Sequence, residues 1–102
     1  MSEQVNHPSH YSKAGRKECI VEMEELYGAE ATAIFCLANA YKYLHRAGDK
    51  IDNPMEQDKN KAKWYFNYAN KLIEKYETLT FNETRIEDTD LYLDIKEMLE
   101  NE

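Results

Sequence analysis

The chain is short of several residue types. Its 102 residues include two cysteines, two prolines, three glycines and a single tryptophan. Two cysteines cannot make a disulfide framework, and both Cys19 and Cys36 fall in apolar helical patterns, so buried free thiols are expected. No apolar run approaches the roughly 20 residues that span a bilayer. No leader-like segment or lipidation motif is visible either, so the expected location is the cytoplasm and no membrane partner is expected. There is no glycine-rich phosphate loop, no internal repeat and no low-complexity stretch. Lys and Arg number 13 against 20 Asp and Glu, a formal charge of −7. That balance argues against a nucleic acid polymer as partner, because polyanion binding needs a basic surface. At this length one domain with a small core is expected.

What is abundant is tyrosine, eight of the twelve aromatics. Its ring is apolar and its hydroxyl polar, which suits ligand pockets and interfaces as well as cores. The charge is uneven. Residues 83–102 hold eight acids against Arg85 and Lys96, a net of −6, which leaves only −1 for residues 1–82. Between Asn39 and Trp64, six Lys or Arg (42, 46, 50, 59, 61, 63) face four acids (49, 52, 56, 58). A locally positive stretch in an acidic chain points to a small anion.

In chain order, residues 1–16 form an arm without periodicity, in which Pro8 forces His7 toward extended geometry. Its His7 and His10, with Cys19 nearby, lack the paired spacing of a zinc site, and no metal or cofactor is expected. Residues 17–27 suit a short helix with Cys19, Ile20, Met23 and Tyr27 inward, ended by Gly28. Its acids Glu22, Glu24 and Glu25 read as a solvated surface. A second helix over 29–47 has the apolar stripe Ile34, Leu37, Ala38, Tyr41 and Leu44, with alanines that allow close helix approach. After a polar turn, Asn53 and Pro54 start a third helix that runs to about Glu77, with Ala62, Tyr65, Ala69, Leu72 and Tyr76 inward. Residues 78–87 read as a loop of mixed character. Residues 90–99 read as an acidic helix with Leu91, Ile95, Met98 and Leu99 on one side. The expected fold is all-α, a small bundle of about four helices. It divides into an arm (1–16), a helical core (17–79) and an acidic C-terminal helix (80–102).

Asn39, Lys42, Tyr43 and Arg46 fall at i, i+3, i+4 and i+7 of the second helix, and Asp58, Lys61 and Tyr65 at i, i+3 and i+7 of the third. Helices joined by a short turn pack antiparallel. Their polar faces would then meet across a groove of amide, ammonium, guanidinium and phenol groups, a set suited to a phosphorylated, planar ligand. Trp64 adds an aromatic beside Tyr65. Asn6, His7, His10 and Tyr11 of the arm are expected to supply further amide, imidazole and phenol contacts.

Four segments of the sequence carry a family resemblance: Val5-Asn-His-Pro-Ser-His-Tyr11, Glu18-Cys-Ile20, Asn39-Ala-x-Lys-Tyr43 with Arg46-Ala-Gly48, and Asp58-x-x-Lys-Ala-x-Trp-Tyr65. In this order, over about residues 5–75, they resemble the DUF3310 (SaV-like) phage protein family. The chain departs from the commoner family pattern at His45, where an aromatic such as Trp is usual. The resemblance implies a small, largely helical, phage-encoded protein. One type of member phosphorylates deoxynucleoside monophosphates without a P-loop, and another is linked to sensitivity to a bacterial abortive-infection system.

Three functions follow as expectations. The first is capture of a phosphorylated nucleotide that acts as a host immune signal, a sponge directed against defence. Its residues are Asn6, His7, His10, Tyr11, Asn39, Lys42, Tyr43, Arg46, Asp58, Lys61, Trp64 and Tyr65. The second is a deoxynucleoside monophosphate kinase with Asp58 as base or lysine-orienting group. The third is an interaction module that meets a host defence protein through the acidic helix. A homo-oligomer is expected under the first two, since an intersubunit groove would enlarge the site.

Overall fold

The computed structural model describes residues 18–47 and 55–101. The expected arm over 1–16 and the turn that leads into the third helix lie outside them. Helix α1, Cys19–Tyr27, stops at Gly28, and α2, Ala29–Arg46, starts on the other side of that glycine. Gly28 has φ +94°, a conformation that side-chain-bearing residues rarely adopt, so the α1–α2 corner needs glycine. Its carbonyl accepts the Thr32 hydroxyl at 2.9 Å, which satisfies a backbone group at the corner.

Helix α3, Met55–Tyr76, packs along α2. The two run antiparallel, because Arg46 at the end of α2 meets Asp58 at the start of α3 while Phe35 meets Tyr65 farther along. Ala33 and Ala40 of α2 and Ala62 and Ala69 of α3 are all fully buried, and a methyl at each position lets the backbones approach closely. Leu37, Cys36 and Leu72 fill the space between.

Glu77, with φ +67°, ends α3 in the left-handed conformation that terminates helices. The chain then makes a hairpin of β1 (Thr80–Phe81) and β2 (Thr84–Arg85), paired antiparallel with Thr80 opposite Arg85. Asn82 and Glu83 both have positive φ, 53° and 66°, as a tight two-residue hairpin turn requires. A 3-10 turn, Ile86–Asp88, leads to Thr89. The Thr89 hydroxyl oxygen accepts the Tyr92 amide at 3.3 Å and so caps α4, Asp90–Glu100. Leu79, Ile86 and Ile95 are buried in the same core as Leu37, so α4 docks on the chain's own core. The Tyr92 hydroxyl donates to Asn70 Oδ1 at 2.6 Å and its ring meets Phe66 at 4.9 Å, fixing α4 to α3.

The all-α expectation and the four helices stand. The hairpin replaces the expected mixed loop, and its core residues Leu79 and Ile86 were not expected. Several inward assignments also change. Cys19 is exposed, because the first turn of α1 buries Ile20 instead. Tyr27 is 71% exposed at the corner, where the chain turns away. On α2 the buried face is Ala33, Cys36, Leu37 and Ala40, about one residue from the expected stripe, and Ala38 and Tyr41 are exposed. Tyr76 and Met98 also face solvent. On α2, close contact with α3 buries the small Ala33 and Ala40 in place of their larger neighbours Ile34 and Tyr41.

Glu24 is likewise not simply solvated. Its carboxylate accepts the Tyr76 hydroxyl at 2.5 Å and Lys75 Nζ at 3.5 Å, which ties α1 to the end of α3. The hydrogen bond with Tyr76, followed by the Glu24 charge, holds the Lys75 ammonium above its ordinary pKa. Among the described residues no helix is long and apolar enough to cross a membrane.

Candidate functional site

Tyr43 is the centre of the groove between α2 and α3. It is half-buried, and its ring lies nearly parallel to that of Tyr65, with centroids 6.0 Å apart and planes at 12°. Three cations surround it. Lys42 Nζ stands 4.7 Å from the ring centroid, Lys61 Nζ 5.3 Å and the Arg46 guanidinium carbon 5.6 Å. Each such contact contributes about 0.5–1 kcal/mol at an exposed position, which offsets part of the repulsion between the cations.

One acid supports this group. Asp58 is fully buried, and its Oδ2 lies 3.6 Å from Arg46 Nε, whose side chain is about one-third exposed. Arg46 Nε is itself shielded from solvent and has no hydrogen-bond partner among the described residues. The pair also suits both helix ends, with a cation in the last turn of α2 and an anion in the first turn of α3. Among the described residues neither Lys42 nor Lys61 has a carboxylate partner. Among the described residues, three positive charges stand against one buried negative charge in this groove, in a chain of net charge −7. Asp58 is placed to hold Arg46 and has no exposed surface of its own.

The two helices thus bring together Lys42, Tyr43, Arg46, Asp58, Lys61 and Tyr65. Asn39 is half-buried on the same face of α2, one turn before Tyr43. Trp64 is half-buried beside the group. Its ring meets Tyr65 edge-on at 5.1 Å and stacks on Tyr68 at 5.4 Å, so it leans toward the core-side tyrosine. Asn6, His7, His10 and Tyr11 lie outside the described residues.

Phe35 belongs to the same face and was not anticipated. Its ring meets Tyr65 edge-to-face at 6.1 Å and an angle of 81°, and it is 38% exposed. The signal was its position four residues before Asn39 and eight before Tyr43. Phe35, Tyr65 and Tyr43 therefore form a row of rings with the cations gathered at one end.

Chemically, the group can hold an anion and stack a planar surface. Among the described residues no cluster of three or more His, Cys, Asp or Glu side chains could hold a metal ion. A cavity of about 330 Å³ lined by Met55, Glu56, Lys59, Asn60 and Lys63 contains none of the groove residues; the helical spacing puts it on another flank of α3.

Comparison with known proteins places residues 5–67 in one family, described as proteins of unknown function, DUF3310. No curated protein and no solved structure matches the chain. The match covers more than half of the sequence and includes every groove residue, from Phe35 to Tyr65. The chain belongs to the DUF3310 family.

Proposed function

We propose that the α2–α3 groove captures a phosphorylated, nucleotide-type ligand and holds it unchanged, withdrawing it from other receptors. In this reading, and following the phage resemblance of the sequence, the ligand is a nucleotide signal of host defence. The observation that carries the proposal is the convergence of Lys42, Arg46 and Lys61 on the Tyr43 ring, with one buried acid among them. Cations held close together, with Asp58 the one acid paired to them among the described residues, favour an anion. A charge-assisted hydrogen bond contributes about 1.5–3 kcal/mol. Three of them give roughly 5–9 kcal/mol before ordering costs, against about 8 kcal/mol for a micromolar Kd. Stoichiometric capture therefore needs no chemical step. The buried position of Asp58 also favours binding over turnover, since a general base has to reach the ligand.

The test is retention and release. Purified protein is incubated with a panel of nucleoside monophosphates, cyclic nucleotides and ADP-ribose derivatives, some with a triphosphate donor. Bound ligand is separated, the protein is heat-denatured, and the species are identified by mass spectrometry. Ligand released unchanged supports capture, with Lys42→Ala and Lys61→Ala each weakening retention about tenfold or more at unchanged melting temperature. Diphosphates accumulating with time would establish a kinase instead. If nothing is retained, the nucleotide reading fails.

A further inference from the structure

The geometry points to a divided groove in which Phe35 is the base-stacking residue and Lys42, Arg46 and Lys61 form the phosphate end. The inference rests on the proposed reading of the groove as a site for a phosphorylated nucleotide and adds to it a direction and a specificity residue. The ligand carries an aromatic base at one end and a phosphate at the other, with a sugar between them.

Three observations lead there. First, Phe35 keeps 38% of its surface exposed, while Tyr65 holds its ring edge-on. Its orientation is therefore set by packing, yet part of it is uncovered. Second, the rings of Phe35, Tyr65 and Tyr43 form a continuous row, and the cations cluster only around the last. Helix-side neighbours of Phe35 are Ala31, Ala38 and Asn39, none of them charged. The groove is thus apolar and aromatic at one end and cationic at the other. Third, the ends are suitably spaced. Phe35 and Lys42 are seven residues apart, or about 10 Å at the helical rise, and Asn39 stands between them. An amide at that point can meet a sugar hydroxyl or a base edge. A free phosphate or a sugar phosphate would use only the cationic end.

Stacking on an aromatic side chain is tolerant of base identity and raises affinity about tenfold to a hundredfold. Binding of adenosine 5′-monophosphate and ribose 5-phosphate is measured by calorimetry on the full chain and on Phe35→Ala, Phe35→Leu and Phe35→Trp. The wild-type chain should prefer the nucleotide by about tenfold or more. Phe35→Ala and Phe35→Leu should reduce that preference to less than about threefold, and Phe35→Trp should keep it. Ribose 5-phosphate should bind all four proteins alike, which shows that the variants are folded and the cationic end is intact. The inference is overturned if the wild type shows no preference, or if the preference survives in both Phe35→Ala and Phe35→Leu. Sugar phosphate bound without base preference would overturn this inference alone. Failure of the wild type to bind either probe would overturn the phosphate site as well.

Discussion

Removing the Asp58 charge tests the arrangement of the groove most directly. In Asp58→Asn the shape of the side chain is kept while the carboxylate facing Arg46 is lost. At 3.6 Å the charge pair is worth about 5 kcal/mol at an effective dielectric constant of 20 and about 1 kcal/mol in water. Breaking a buried pair costs about 3–5 kcal/mol, but Arg46 is one-third open to solvent, which moves the value down. A favourable charge at the start of α3 is lost too, for about 0.3–1 kcal/mol. The expected destabilisation is about 2–3 kcal/mol. At roughly 4–8 °C per kcal/mol for a domain of this size, the melting temperature should fall by about 10–20 °C. The assay is urea unfolding followed by circular dichroism on wild type, Asp58→Asn, Arg46→Gln and the double variant. If the carboxylate acts through Arg46, the coupling energy of the cycle is about 1–2 kcal/mol and the double variant is less destabilised than the sum. A coupling below about 0.5 kcal/mol would show that Asp58 does not hold Arg46, and the account of the groove would be wrong.

Two further outcomes concern the core. Ile86→Ala removes three carbons from a fully buried site, about 2.4 kcal/mol of transfer free energy plus a cavity contribution, so unfolding should show a loss of about 3–4 kcal/mol; a loss under about 1 kcal/mol would mean that the hairpin is not part of the core. Burial pushes the Cys36 thiol from about 9 up to about 12, whereas Cys19 is exposed. A thiol reagent at neutral pH should therefore modify Cys19 in the native protein and Cys36 only on unfolding. The unfolded chain releases the Cys36 proton above pH 9 while the folded chain retains it, so stability should fall by about 1.4 kcal/mol per pH unit from there toward pH 12. Cys36→Ala should remove that component of the slope.

The helices and the groove were legible because both depend on local spacing. Asn39, Lys42, Tyr43 and Arg46 share a face through the helical repeat alone, and Gly28 announces the corner by its conformational freedom. That Lys42, Arg46 and Lys61 would converge on one ring was not legible, since it depends on the relative rotation of α2 and α3. That rotation is set by Ala33, Ala40, Ala62 and Ala69, which carry little hydropathy signal but decide how closely the helices pack. Phe35 was missed for a related reason: its spacing from Asn39 and Tyr43 puts it on their face, but an apolar residue among apolar neighbours reads as core. The hairpin escaped because its strands are two residues each, too short for alternation to register, and because its turn uses Asn82 and Glu83 where glycine would be the usual signal.

That hairpin constrains how the chain can change over time. Side chains alternate along a strand, and the Ile86 amide donates to the Leu79 carbonyl at 3.0 Å, extending the ladder by one step. One residue gained or lost between Leu79 and Ile86 would turn Ile86 outward and displace the start of α4. Residue identity at the turn is comparatively free, because Asn82 and Glu83 are both exposed. Residue number is not. Substitutions should accumulate there far more readily than insertions or deletions, so this segment should keep its length where its letters drift.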